Sequence, residues 1–242
     1  MAESTALSRP TSRRGMALVG LAGALLSGIG DVLILGRSCS GRDFDRAADM
    51  VPPHIDSDNR WRSLWNGAAL PVRRIQAGTL TGYVGIGLLQ WLALRGIGQT
   101  IHAGRERRVA AVAATAFAAS GVLTHQCCAT VILAYKRATE DALESSDGAP
   151  IMPRSDTRLL AVSAAATLSA LAVFSASDTA AAHRARSSAP AWWSTVTPFP
   201  CVLATLLTFG YLPAPVGGYA RPASISIGLM TYFAVTAASG RR

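Results

Sequence analysis

Two polar residues interrupt apolar stretches of this chain and are placed to do chemistry. Asp31 lies four residues before the end of Gly15–Leu35, a stretch with no other charge. His125 lies deep within Val109–Tyr135, next to Gln126. A carboxylate in an apolar span costs at least ~2.5 kcal/mol to insert, so it needs a partner or a task. An aspartate and a histidine that meet in a low-dielectric site can share and shuttle a proton. Asp31 and His125 are therefore the candidate catalytic pair. Each also has a structural alternative. Asp31 can hold an arginine at the start of the second helix, Arg73 or Arg74. His125 can be a neutral, hydrogen-bonded core residue.

The candidate substrate contacts are Arg73, Arg74, Gln90 and Gln126. Arg74 is expected to anchor a polar head group. Gln90 can equally bridge two helices. Cys127 and Cys128 are adjacent, point to different faces and suit packing. Cys128 shares a face with His125, but two ligands do not make a metal site. No CxxC or Cys/His spacing for zinc is present, so no metal and no cofactor is expected. The sequence has no serine-hydrolase elbow, HExxH or DDxxD-type diphosphate motif. That argues against the best-known membrane proteases and metal-dependent prenyltransferases.

These residues need elements to hold them, and composition names the kind. Half of the 242 residues are apolar and 15% are charged. Mean hydropathy is +0.30. The net charge of +9 alone fits either nucleic acid or a membrane. The apolar content and the lack of aromatics among the basic residues favour the membrane and exclude nucleic acid as a partner. Lys136 is the only lysine, and with heavy Ala and Gly use this suggests a high-GC bacterial genome.

About 20 apolar residues cross about 30 Å of hydrocarbon. Six stretches approach that length: Gly15–Leu35, Ile75–Leu94, Val109–Tyr135, Leu159–Ser177, Ala191–Leu212 and Ala223–Ala238. The expected fold class is an all-α polytopic transmembrane bundle of about six helices. Residues 1–14 form an N-terminal tail and residues 15–238 a single transmembrane domain. Gly20, Gly23, Ser27 and Asp31 share one face of the first helix, and Gly78 and Gly82 form a small-xxx-small pair in the second. Small residues let membrane helices approach closely. Pro198 and Pro200 are expected to kink the fifth helix. Asp178 is expected to cap the end of the fourth.

Six spans put both termini on one side. That side holds 11 Lys/Arg and 3 acids in short segments, against 12 and 10 on the other side. The positive-inside rule then places the termini in the cytoplasm of a multi-pass protein of the cell membrane. The loop at 36–74 is the longest, with seven arginines and five aspartates. It is read as a lid or as a covering segment, with an interfacial helix about Trp61, Leu64 and Trp65. The segment from Lys136 to Arg158 is read as a solvated linker.

The order of these features resembles an uncharacterised family of bacterial six-helix membrane proteins. The resemblance rests on Gly30–Asp31 near the end of the first helix and on Leu70–Pro71 with Arg73–Arg74 before the second. It continues with Gly121 before His125, a proline-bearing fifth helix and Pro213–Ala214–Pro215. The sequence departs from the pattern at Gln126–Cys127–Cys128, where a more aromatic run is expected. The resemblance implies six helices and no particular activity. The Gly–Asp in an apolar helix is also similar to lysoplasmalogenase-like membrane hydrolases, which have more helices.

Two functions follow from the residues. One is a membrane-embedded enzyme doing acid/base chemistry on a lipid or isoprenoid, with membrane lipids and a hydrophobic small molecule as partners. The other is a small proton- or cation-coupled transporter or binding protein. A structural membrane subunit is a third role. Internal repeats, common in transporters, are not seen.

Overall fold

The computed structural model describes residues 12–35, 70–101, 104–144, 154–184, 196–209, 220 and 222–239. Among these the chain forms six helices and no strand. They are α1 (Arg13–Leu35), α2 (72–99), α3 (Arg105–Glu144), α4 (Arg154–Arg184), α5 (Pro198–Phe209) and α6 (Ser224–Ala238). Each helix packs on its neighbours in sequence, and α6 returns to α1, closing a ring. The helices alternate in direction. The N-terminus of α1 and the C-terminus of α6 lie at one end, and Asp31 lies near the other.

Four of the helices are long and apolar enough to cross a membrane: α1, α2, α3 over Arg105–Ala134, and α4 over Arg158–His183. Their outer faces are apolar. Val112 is 69% exposed, Val162 65% and Leu80 63%, which is costly in water and suits lipid.

The last two helices are the shortest of the six as described, and α6 fills the expected Ala223–Ala238 to within one residue. α5 has 12 residues, about 18 Å at ~1.5 Å per residue. Pro198 and Pro200 do not kink it. They lie in its first turn, where no intrahelical N–H bond is due. The expected linker is largely helix, since α3 runs on to Glu144, with Lys136 and Glu140 paired at 3.0 Å one turn apart. The loop at 36–69, Trp61, Leu64, Trp65 and Pro213–Ala214–Pro215 lie outside the described residues.

Glycine sets the α1–α2 distance. A Cβ on Gly23 would stand 2.8 Å from the Gly85 carbonyl, and one on Gly30 would stand 2.8 Å from the Gly78 carbonyl. The two backbones thus touch at two points, two turns apart. Gly23→Ala is expected to lower stability by ~1–3 kcal/mol, because neither backbone can yield. Thermal unfolding in mild detergent checks this. Gly15→Ala is the control, since its Cβ would meet only Ser12 Oγ at 3.4 Å.

The middle of α2, Tyr83–Gln90, is π-helical. Buried positions in α2 run 75, 78, 82, 85 and then 90, 93, 94, 97, 98. The step from 85 to 90 is one residue longer than an α-turn. It turns Gln90, rather than Leu89, fully into the bundle. Such insertions are frequent at functional sites.

Candidate functional site

α1 brings Asp31 to the interior one turn from its end, and α3 brings His125 to meet it. His125 Nδ1 stands 3.4 Å from Asp31 Oδ1, an ion-pair distance. The His125 side chain is 5% exposed and that of Asp31 18%. His125 Nε2 donates to the Gly78 carbonyl at 3.0 Å, so Nε2 carries a hydrogen. The couple then has room for one further proton, on Nδ1 or on the Asp31 carboxyl. That is the arrangement of an acid/base pair with a fixed tautomer.

Gly78 and Gly82 both serve this histidine. Gly78 supplies the carbonyl. Gly82 supplies space, because a Cβ there would clash with Nε2 and Cδ2 of the imidazole ring. The sequence pattern marks these glycines for helix packing. Gly78 fits that role against Gly30 and Ile34, and Gly82 makes room for the His125 ring.

The second carboxylate oxygen starts a chain of hydroxyls. Ser226 Oγ donates to Asp31 Oδ2 at 2.8 Å. Ser226 and Ser27 Oγ are 3.0 Å apart, and Gln90 Nε2 donates to Ser27 Oγ at 2.7 Å. Ser226 has spent its one hydrogen on Asp31, and Ser27, which accepts from Gln90, has two acceptors within reach of its own hydrogen, Ser226 Oγ and the Ala24 carbonyl at 3.1 Å. With the Ser27 hydrogen on Ser226, the chain runs from Gln90 to Asp31. Ser27 and Ser226 carry no motif, and only the facing of α1 on α6 makes them partners.

A cavity of about 540 Å³ opens beside this chain. Ser27, Asp31, Gln90, Thr124, His125 and Ser226 give it polar points. Ile34, Ile86, Phe117, Leu160 and Leu229 make most of the rest apolar. Its volume lies within the ~300–1,000 Å³ usual for small-molecule sites. The lining reaches Leu35, Leu160 and Pro222 at the Asp31 end of the bundle. Beyond Phe117 the interior is filled by Leu94, Ile97, Leu171, Phe174 and Phe233.

The other sequence candidates fall elsewhere. Arg73 is exposed at the start of α2. Arg74 Nη2 donates to the Val32 carbonyl at 3.4 Å, and its contact to α1 is with that backbone rather than with Asp31. Gln126 is exposed on the outer face of α3, where it accepts from the Tyr83 hydroxyl and donates to Thr130 Oγ1 at 3.1 Å. None of these three lines the cavity. Gln90 does. Cys128 lines it too, one turn beyond His125. No group of three metal-ligating side chains occurs among the described residues.

A second buried polar cluster was not legible as such. Arg13 Nη2 donates to both oxygens of Asp178, at 2.9 and 3.2 Å, and Arg13 Nη1 donates to Thr100 Oγ1 at 3.3 Å. Asp178 is thus an ion-pair partner of α1 and not a cap for its own helix.

Fold and site together define a class, a ring of mostly membrane-length helices around an apolar cavity with one carboxylate–imidazole couple. Within that class the chain belongs to a family of unknown function (DUF6796), whose pattern matches residues 10–240 and so takes in all six helices. No curated protein and no solved structure matches the chain.

Proposed function

We propose that this protein is a membrane-embedded enzyme that does acid/base chemistry on a hydrophobic small molecule, a lipid or isoprenoid, with Asp31 and His125 exchanging the proton. The observation that carries this reading is the Asp31–His125 couple on the wall of an otherwise apolar cavity. A ligand that enters loses its water there, and the couple becomes the strongest polar feature it meets. The Gly78 carbonyl fixes the ring, so a proton leaves or arrives at Nδ1 or at Asp31. Coupled transport by the same residues needs a path to the opposite end. The packed aromatic floor below Phe117 favours the enzyme over the transporter.

The same reading places the protein in the cell membrane with both termini in the cytoplasm. Arg14, Arg105, Arg107 and Arg108 are all exposed at the end of the bundle that carries the termini. Basic residues at helix ends mark the cytoplasmic side. The cavity mouth then faces the outer leaflet.

Native mass spectrometry with lipid analysis tests the function on wild type, Asp31→Asn and His125→Ala in mild detergent. The expected result is one ligand class retained in all three, with the wild type alone carrying its chemically altered form. Loss of either group is expected to slow the change ~10²–10⁴-fold. Identical ligand and product in three folded samples would overturn the proposal.

A further inference from the structure

The cavity wall has a chemical bias that narrows its ligand. We infer that the molecule it takes is a neutral amphiphilic alcohol, whose hydroxyl donates to Gln90 Oε1, an inference that rests on the proposed ligand-binding role of this cavity. Gln90 is fully buried, and its Oε1 has no hydrogen-bond partner among the described residues. The orientation of this amide is set by the chain above. Turning it over would take the one hydrogen of Ser27 for Gln90 and withdraw it from both the Ala24 carbonyl and Ser226. The amide oxygen is therefore the free end of a residue that lines the cavity. A buried acceptor left unpaired is costly, and a ligand that supplies a donor recovers that cost.

The neighbouring polar points have the same sense. Thr124 Oγ1 donates to the Ser120 carbonyl at 2.8 Å and meets Thr167 Oγ1 at 3.3 Å, so it has no hydrogen to offer the cavity. The Asp31 carboxylate is an acceptor as well. No described lining residue is an arginine or lysine. A carboxylate or phosphate head would meet acceptors and an aspartate, with no cation beyond the imidazole that Asp31 already pairs, which opposes binding. An ammonium head would lose its water against one neutral amide, since Asp31 already faces His125. A hydroxyl supplies the donor without a charge. Ser27 is one turn before Asp31 on α1, so the Gln90 oxygen lies about 6 Å further in than the acid/base couple, at ~1.5 Å per residue. The hydroxyl thus enters first, and the carbon chain that follows passes the couple.

The test uses three probes with one carbon chain: oleyl alcohol, its methyl ether and oleate. Each is titrated onto the full chain in mild detergent and read by native mass spectrometry. Oleyl alcohol is expected to bind at least ~10-fold more tightly than the ether, which lacks the donor, and than oleate. Gln90→Leu is expected to erase the difference between alcohol and ether. Ala164→Phe, which fills the cavity from α4, is expected to block all three probes. The alcohol–ether comparison needs no variant, so it stands even where Gln90→Leu folds poorly. Equal binding of alcohol, ether and oleate that Ala164→Phe abolishes would overturn the alcohol inference and leave the cavity reading intact. Binding unaffected by Ala164→Phe, or no binding of any probe, would overturn both.

Discussion

Gly82→Ala is expected to silence the site as fully as removing His125, although Gly82 itself carries no functional group. The added methyl would clash with Nε2 and Cδ2 of the imidazole, and even the Cε1 atom would be only 2.6 Å away. α2 cannot move aside to relieve the clash. On its far side it already touches α1 backbone to backbone, at Gly78 against Gly30 and at Gly85 against Gly23. The ring must rotate instead. Rotation breaks the bond from Nε2 to the Gly78 carbonyl and removes Nδ1 from Asp31. Ligand turnover should fall by the ~10²–10⁴-fold expected for loss of a general acid/base. Stability should fall by ~1–3 kcal/mol from the overpacking. The double variant Gly82→Ala/His125→Ala separates the two effects. It should be more stable than Gly82→Ala alone, because the ring that causes the clash is gone, and equally inactive. Full turnover in Gly82→Ala, or no recovery of stability in the double variant, would show that the glycine does not make room for the histidine.

What the sequence disclosed follows the strength of each signal. Long apolar runs are hard to misread, and α1 to α4 lie where hydropathy places them. Asp31 and His125 stood out because a charge or an imidazole in such a run is rare. Their meeting was not readable, since it depends on how α3 is rotated and on space at Gly82. The place of Gln90 was equally hidden. An α-helical period puts Leu89 in line with Gly85, and the π-helical turn substitutes Gln90. Charge marks Arg73 and Arg74 in the sequence, and closeness to His125 marks Gln126. The start of α2 carries the first two away from the cavity, and Gln126 takes the opposite face of α3 from its neighbour His125. The prolines of α5 were misread because a helix boundary, unlike a helix, leaves little mark in hydropathy.

The largest loss of stability is expected at the opposite end, from Arg13→Leu. Arg13 is on α1 and Asp178 on α4, elements that are not neighbours in the ring. Their two hydrogen bonds therefore cross the end of the bundle, and Thr100 joins α2 to the same guanidinium. The side chains are 13% and 10% exposed, so each charge depends on the other for most of its solvation. Removing Arg13 leaves Asp178 buried and unpaired, which should cost about 3 kcal/mol, the low end for a buried pair because some exposure remains. Asp178→Leu alone should cost a similar amount, since Arg13 Nε already lacks a partner and the buried cation would be left with only its bond to Thr100. The double variant Arg13→Leu/Asp178→Leu should recover most of the loss, because two apolar side chains of fitting size carry no desolvation cost. Thermal unfolding of the four proteins gives the coupling directly. Additive losses in the double variant would mean that the pair is a surface contact and braces nothing. A recovered double variant with normal ligand turnover would place the pair in folding alone. Recovered stability with lost turnover would mean that this end holds α1 in the register that brings Asp31, 18 residues and about 27 Å away at ~1.5 Å per residue, to His125.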